Sequence, residues 1–263
     1  MDIGISTACF YPMATEETIS IIKNMGFHKI EVFMEAYSEY EEDFAYMLRN
    51  RIADYGLQVI SAHSFCSTYE PFLFSEYDRR RQDSVKVLKK ALNAAKILGA
   101  KYFTFHGNRK EATTGNFDFQ KFGEQMTFIA ELAREYNIML AWENVCWCQS
   151  CSPDFIEKSL EYIRSDNLAF TLDIKQAYRA QIEPTRYIHV MKDRIANVHI
   201  NDADSQHSCL LPGQGKVNLL EIIELLRTYG YDGELIIEIY SSNFENNDEI
   251  VQSKKYLEKL LDD

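Results

Sequence analysis

Short runs of aliphatic, β-branched and aromatic residues alternate with longer amphipathic stretches along the whole chain. That alternation limits the fold more than any other feature. Pattern places strands near residues 2–7, 28–34, 57–63, 101–106, 137–143, 168–173, 195–201 and 234–240. Helices are expected between them, near 15–25, 41–55, 76–98, 117–136, 153–164, 184–192 and 217–229, with a last one near 246–261. The punctuation agrees. Gly26, Gly56, Gly99 and Gly230 stand where a helix should stop, and Pro153 and Pro184 suit the first turn of the next one. Thr15, followed by Glu16 and Glu17, reads as an N-cap ahead of two acids that favour the positive end of a helix.

Eight strands alternating with eight helices, with no linker rich in Pro, Gly or Ser, leave a closed (β/α)8 barrel or an open doubly wound sheet. A doubly wound nucleotide binder should open with a glycine-rich turn after its first strand. This chain has Ala8-Cys9-Phe10-Tyr11-Pro12 there, without glycine. The expectation is therefore an α/β TIM barrel formed as one domain by residues 1–263, a length usual for that architecture.

Composition narrows the partners. The formal net charge of −12 argues against a nucleic-acid partner, because phosphate binding needs clustered Lys and Arg. The run Asp78-Arg79-Arg80-Arg81 is too short to make such a groove and reads as a solvated helix face. No apolar run is long enough to span a bilayer, so no membrane association is expected. Met1-Asp2-Ile3-Gly4 lacks the basic-then-apolar pattern of a secretory leader, and the six cysteines then read as reduced cytoplasmic thiols.

In a (β/α)8 barrel the working residues sit at the C-terminal ends of the strands, because all the following loops gather on one face. Those ends carry His63, His106, Glu143, Asp173, His199 and Glu238, on strands three to eight. Each is a potential metal ligand. Hard carboxylate oxygens mixed with imidazole suit Mn, Zn, Co, Fe or Mg. Glu143, Asp173 and Glu238 each close an apolar strand, where an unpaired carboxylate is costly and a shared divalent cation would relieve several at once. Taken singly, each is as well explained by a loop amide or a basic partner; four at successive strand ends are not.

These residues resemble a family. Glu143-Asn144, Leu172-Asp173, Val198-His199-Ile200-Asn201-Asp202, Leu211-Pro212-Gly213-Gln214-Gly215-Lys216-Val217 and Ile237-Glu238 are similar to the motifs of the xylose isomerase-like barrels. That superfamily holds sugar phosphate isomerases and epimerases and also the type-four apurinic endonucleases. The resemblance covers essentially residues 1–260. It implies one divalent metal ion held by Glu143, Asp173, His199 and Glu238, with Glu143 and Glu238 acting as acid and base through a metal-stabilised enediolate. The implied activity is isomerisation or epimerisation of a small sugar or polyol. The alternatives are an inosose-type dehydratase on the same site, an apurinic-type endonuclease, and a non-catalytic sugar-binding barrel. Barrels of this type often pair as homodimers, and the sequence leaves the oligomeric state open.

The chain departs from the family at several points. Gln176 stands where both branches have a histidine, and His207-Ser208-Cys209 replaces the Asp-x-His pair of the endonucleases. An arginine that touches substrate in the sugar epimerases has no counterpart in Ala203-Asp204-Ser205-Gln206-His207. Beyond the metal set, His63, His106, Arg109, Lys175 and His207 are candidate substrate contacts, with Phe10 and Trp147 as pocket walls. Phe33, Phe65, Tyr69, Tyr11 and Trp142 are placed on the same face. Cys146-x-Cys148-x-x-Cys151 lacks a four-ligand zinc spacing and reads as loop cysteines, and Cys209 invites an indirect role near the metal. His28 and His189 are read as structural.

Overall fold

The computed structural model describes residues 1–65, 68–110 and 117–262. Eight parallel strands close into a barrel in sequence order, β1-β2-β3-β4-β5-β6-β7-β8, with β8 returning to β1. They are β1 Asp2–Ser6, β2 Lys29–Met34, β3 Gln58–Ser64, β4 Tyr102–Phe105, β5 Met139–Glu143, β6 Leu168–Asp173, β7 Ile195–Ile200 and β8 Glu234–Ile237. The helices around them are α1 Thr15–Asn24, α2 Glu42–Asp54, α3 Asp78–Leu98, α4 Phe119–Arg134, α5 Pro153–Leu160, α6 Ile174–Arg179, α7 Pro184–Met191, α8 Leu219–Thr228 and α9 Asn247–Asp262. The (β/α)8 reading of the sequence holds.

Local chemistry explains most boundaries. Ser152 and Asn218 accept bonds from Phe155 N and Glu221 N, capping α5 and α8, and Pro153 and Pro184 occupy first-turn positions. Gly26, Gly56, Gly99 and Gly230 all carry the positive φ that ends a helix. Two expectations need correction. Thr15 is not the cap of α1: Ala14 holds that position without a side-chain bond. The Thr15 hydroxyl is used elsewhere, donating to Phe33 O and Glu39 Oε1, and so ties α1 to the end of β2. The short helix α6 was not expected either. It starts directly after β6, because Asp173 both closes the strand and accepts Gln176 N as the helix N-cap.

Strand periodicity sets up the site. Glu31, Ser61, Thr104, Thr171 and Asn197 are fully buried and hydrogen-bonded to one another, so they form a polar layer inside the barrel. Residues two further along a strand share its face, one layer higher. That rule places Phe33, His63, His106, Asp173 and His199 above this layer, and Glu143 above Ala141 joins them. Trp142 falls on the opposite face of β5, packed against Phe122 of α4 and Phe170.

Candidate metal and substrate site

Four side chains converge at the top of the barrel. Glu143, Asp173, His199 and Glu238 are all buried and each offers a ligand atom, these atoms all lying within 4.8 Å of one another. His199 Nδ1 is the focus. It lies 3.2 Å from Glu143 Oε1, 3.2 Å from Glu238 Oε2 and 3.6 Å from Asp173 Oδ2. The other ring nitrogen, Nε2, is 3.0 Å from Glu31 Oε2. A proton on Nε2 given to Glu31 leaves the Nδ1 lone pair aimed at the three carboxylates, an arrangement common among metal-binding histidines.

The surroundings fix these groups in place. Asn144 clamps the end of β6, accepting Asp173 N at 2.7 Å and donating to Asp173 O at 2.9 Å. This accounts for the Glu-Asn pair at the end of β5. Among the described residues Asp173 Oδ2 is buried without a hydrogen-bond partner, the Lys175 ammonium lying 3.3 Å and His199 Nδ1 3.6 Å from it. A buried carboxylate oxygen left in that state suits a cation. A hard, mixed carboxylate and imidazole set of four therefore fits one divalent ion. A second possible group shares Glu143: His106 Nε2 lies 2.8 Å from both Glu143 Oε2 and His63 Nε2. A third comprises Glu31, His63 and Glu238. Among the described residues neither a cysteine nor His207 joins such a group.

The charges are strongly coupled. Burial would raise the Glu143 carboxyl, but His106 and His199 hold it well below its usual range. Burial acts the same way on Glu238, and His199 and Lys175 overcome it. For Asp173 burial wins, and its carboxyl is raised despite Lys175 and His199. Burial alone would lower His199, yet Glu238, Glu31, Asp173 and Glu143 raise it well above the ordinary imidazole value.

Above the cluster opens a cavity of about 340 Å³. Of the expected substrate contacts and walls His63, His106, Lys175 and Trp147 line it, together with Glu143, Glu238 and Gln176. The apolar wall differs from expectation. Phe10 is buried and packs edge-on against Phe244, and Tyr11, Phe33 and Phe65 line the cavity in its place. Tyr69 and Trp142 are buried outside it. Arg109 lies beside Trp147, its guanidinium 5.6 Å from the ring centre, in a neighbouring groove. His207 is also not part of the wall: it is exposed and bonded to Asp204 of its own loop. Cys66 lies outside the described residues; the other five cysteines are free thiols.

Several wall residues carried no sequence signal. Glu35, Arg179 and Tyr240 face the cavity. Burial, reinforced by Glu39, pushes the Glu35 carboxyl up to about 7. Arg179 donates to Tyr240 OH and Ser208 Oγ. The most consequential omission is Glu31, whose Oε2 accepts from Ser61, Thr104 and Asn197 as well as meeting His199. Its only signal is a carboxylate amid the apolar residues of β2. Glu31→Gln places an amide against His199 Nε2–H and is expected to weaken divalent-cation binding about 10- to 100-fold, as read by Mn2+ titration.

The chain belongs to the xylose isomerase-like TIM barrel family, whose model matches residues 19–260. Among its relatives is an uncharacterized protein of Methanocaldococcus jannaschii, 25% identical and covering 100% of this chain and 90% of that protein. Another is fructoselysine 3-epimerase of Escherichia coli O157:H7, 26% identical over 65% of this chain and 63% of the relative. A D-tagatose 3-epimerase-like protein of known structure superposes with a TM-score of 0.84 at 22% identity, covering 100% of this chain and 97% of its own. It shares the fold.

Proposed function

We propose that this protein is a divalent-metal-dependent epimerase or isomerase of a small sugar or sugar derivative. The observation that carries the reading is the convergence of four buried ligand atoms on the His199 Nδ1 focus, at the floor of a cavity sized for a small molecule. Glu143, Asp173, His199 and Glu238 would hold the ion. When bound, it supplies Lewis-acid stabilisation of the negative charge that develops on two neighbouring substrate oxygens as the proton between them leaves.

The proton work falls to the two glutamates. Each aims one oxygen at the focus, Glu143 Oε1 and Glu238 Oε2, both 3.2 Å from His199 Nδ1. Each also has a second oxygen turned away from it: Glu143 Oε2 toward His106 and Glu238 Oε1 toward His63. One oxygen is thus available to the ion and the other to a proton. Glu143 ends β5 and Glu238 directly follows β8, three strands apart around the barrel, so they approach a substrate from different sides. One removes the proton and the other returns one to the opposite face, or to the adjacent carbon. His106, beside Glu143 Oε2, steadies that carboxylate. Trp147, Phe33 and Tyr11 supply apolar walls against the C–H face of a sugar. The sugar 3-epimerase activity of fructoselysine 3-epimerase supports this reading.

The test is solvent exchange. Metal-loaded protein incubated with ketoses in D2O should place one deuterium on the carbon that inverts, with product mass otherwise unchanged. A product lighter by one water would instead identify a dehydratase. A bound ligand whose C–H bonds never exchange would identify a binding protein.

A further inference from the structure

Lys175 has a role at this site that the acid–base reading does not use. It is the second residue of α6 and is buried, with 4% of its surface exposed. Its ammonium lies 2.8 Å from Glu238 Oε2 and 3.3 Å from Asp173 Oδ2. Those are the same two oxygens that face the His199 focus. A divalent ion needs them, and an ammonium hydrogen-bonded to the Glu238 oxygen and ion-paired with the Asp173 oxygen is a like charge only a few ångströms from where the ion would sit.

The Asp173 carboxylate has little freedom to turn away. Asp173 is pinned through its backbone by Asn144 and through Oδ1 by Gln176 N and Asn201. Lysine, by contrast, has a four-carbon stem and a compact charge. The Tyr240 ring, 5.2 Å from Nζ, stands at the cavity wall and offers the ammonium a π-face outside the ligand cluster.

We propose that Lys175 is a built-in counter-cation that competes with the divalent ion for Glu238 and Asp173. In the metal-free protein the ammonium holds these two carboxylates together; metal loading displaces it toward Tyr240 and the cavity. This rests on the cation site proposed above. It also accounts for part of how four buried carboxylates, Glu31 included, sit together: the Lys175 ammonium, against Glu238 and Asp173, offsets part of their charge.

The experiment compares wild type, Lys175→Met and Lys175→Arg, each stripped with a chelator, by calorimetric Mn2+ titration and by melting with and without Mn2+. Lys175→Met should bind Mn2+ at least tenfold more tightly than wild type. Metal-free Lys175→Met should melt below wild type and gain more from added Mn2+, because ligand stabilisation follows affinity. Lys175→Arg, which keeps the charge, should bind no more tightly than wild type. If Lys175→Met fails to fold, Lys175→Gln carries the same expectation of tighter binding. Equal or weaker binding by the neutral variants, with wild type binding normally, overturns the competition alone. No Mn2+ binding by any of these proteins removes the cation site itself.

Discussion

Glu238→Gln is expected to lower turnover about 1,000-fold or more while leaving the melting temperature within a few degrees of wild type. The amide keeps the shape of the carboxylate and an oxygen that can face the ion, but it cannot take or give the proton. Glu143→Gln should fail equally. The two variants should differ in one respect that a purely structural role would not produce. Each retains one working glutamate, so each should still exchange the reacting hydrogen of one epimer with D2O while inverting neither. The epimer that exchanges should switch between the two variants. Near-normal turnover by Glu238→Gln on an identified substrate would remove the acid–base assignment.

The second large effect is on stability, and it arises from the Leu-Pro-Gly-x-Gly segment. Asp202 is buried and accepts four backbone N–H groups: Ala203 N and Val217 N on Oδ1, Gly213 N and Gly215 N on Oδ2. Both glycines are required by this arrangement. Gly213 has φ +93, and a Cβ on Gly215 would come within 2.5 Å of Ala203 O and closer still to Asp202. The motif is therefore a turn folded around one carboxylate, three residues beyond His199. Asp202→Ala leaves four N–H groups without their acceptor, at a cost of about 3 kcal/mol or more. For a chain of this size that is a fall in melting temperature on the order of 10 °C. Asp202→Asn should also destabilise, since its NH2 would oppose the N–H groups of Gly213 and Gly215. A loss below about 1 kcal/mol in Asp202→Ala would contradict this account of the motif.

What the sequence made readable follows from periodicity. The strand-end positions His63, His106, Glu143, Asp173, His199 and Glu238 could be found because closing a parallel barrel brings strand ends together whatever the loops do. Positions governed by loops and rotamers could not. Phe10 and Tyr11 are adjacent, and only the path of the first loop decides that Tyr11 meets the cavity. His207 turns outward because Asp204 accepts both its backbone N–H and its ring. Trp142 could have been excluded from the cavity mouth, because alternation along β5 puts it opposite Glu143. Glu31 was hidden for the converse reason: a lone carboxylate in β2 says nothing until β3, β4 and β7 bring Ser61, Thr104, Asn197 and His199 to it.

The convergence of Glu143, Asp173, His199 and Glu238 on one ion is tested most directly by anomalous diffraction from crystals grown or soaked with Mn2+. The account predicts a single strong peak within coordination distance of His199 Nδ1, Glu143 Oε1, Asp173 Oδ2 and Glu238 Oε2, lost in His199→Ala. A peak elsewhere on the molecule, or none at saturating Mn2+, would contradict it.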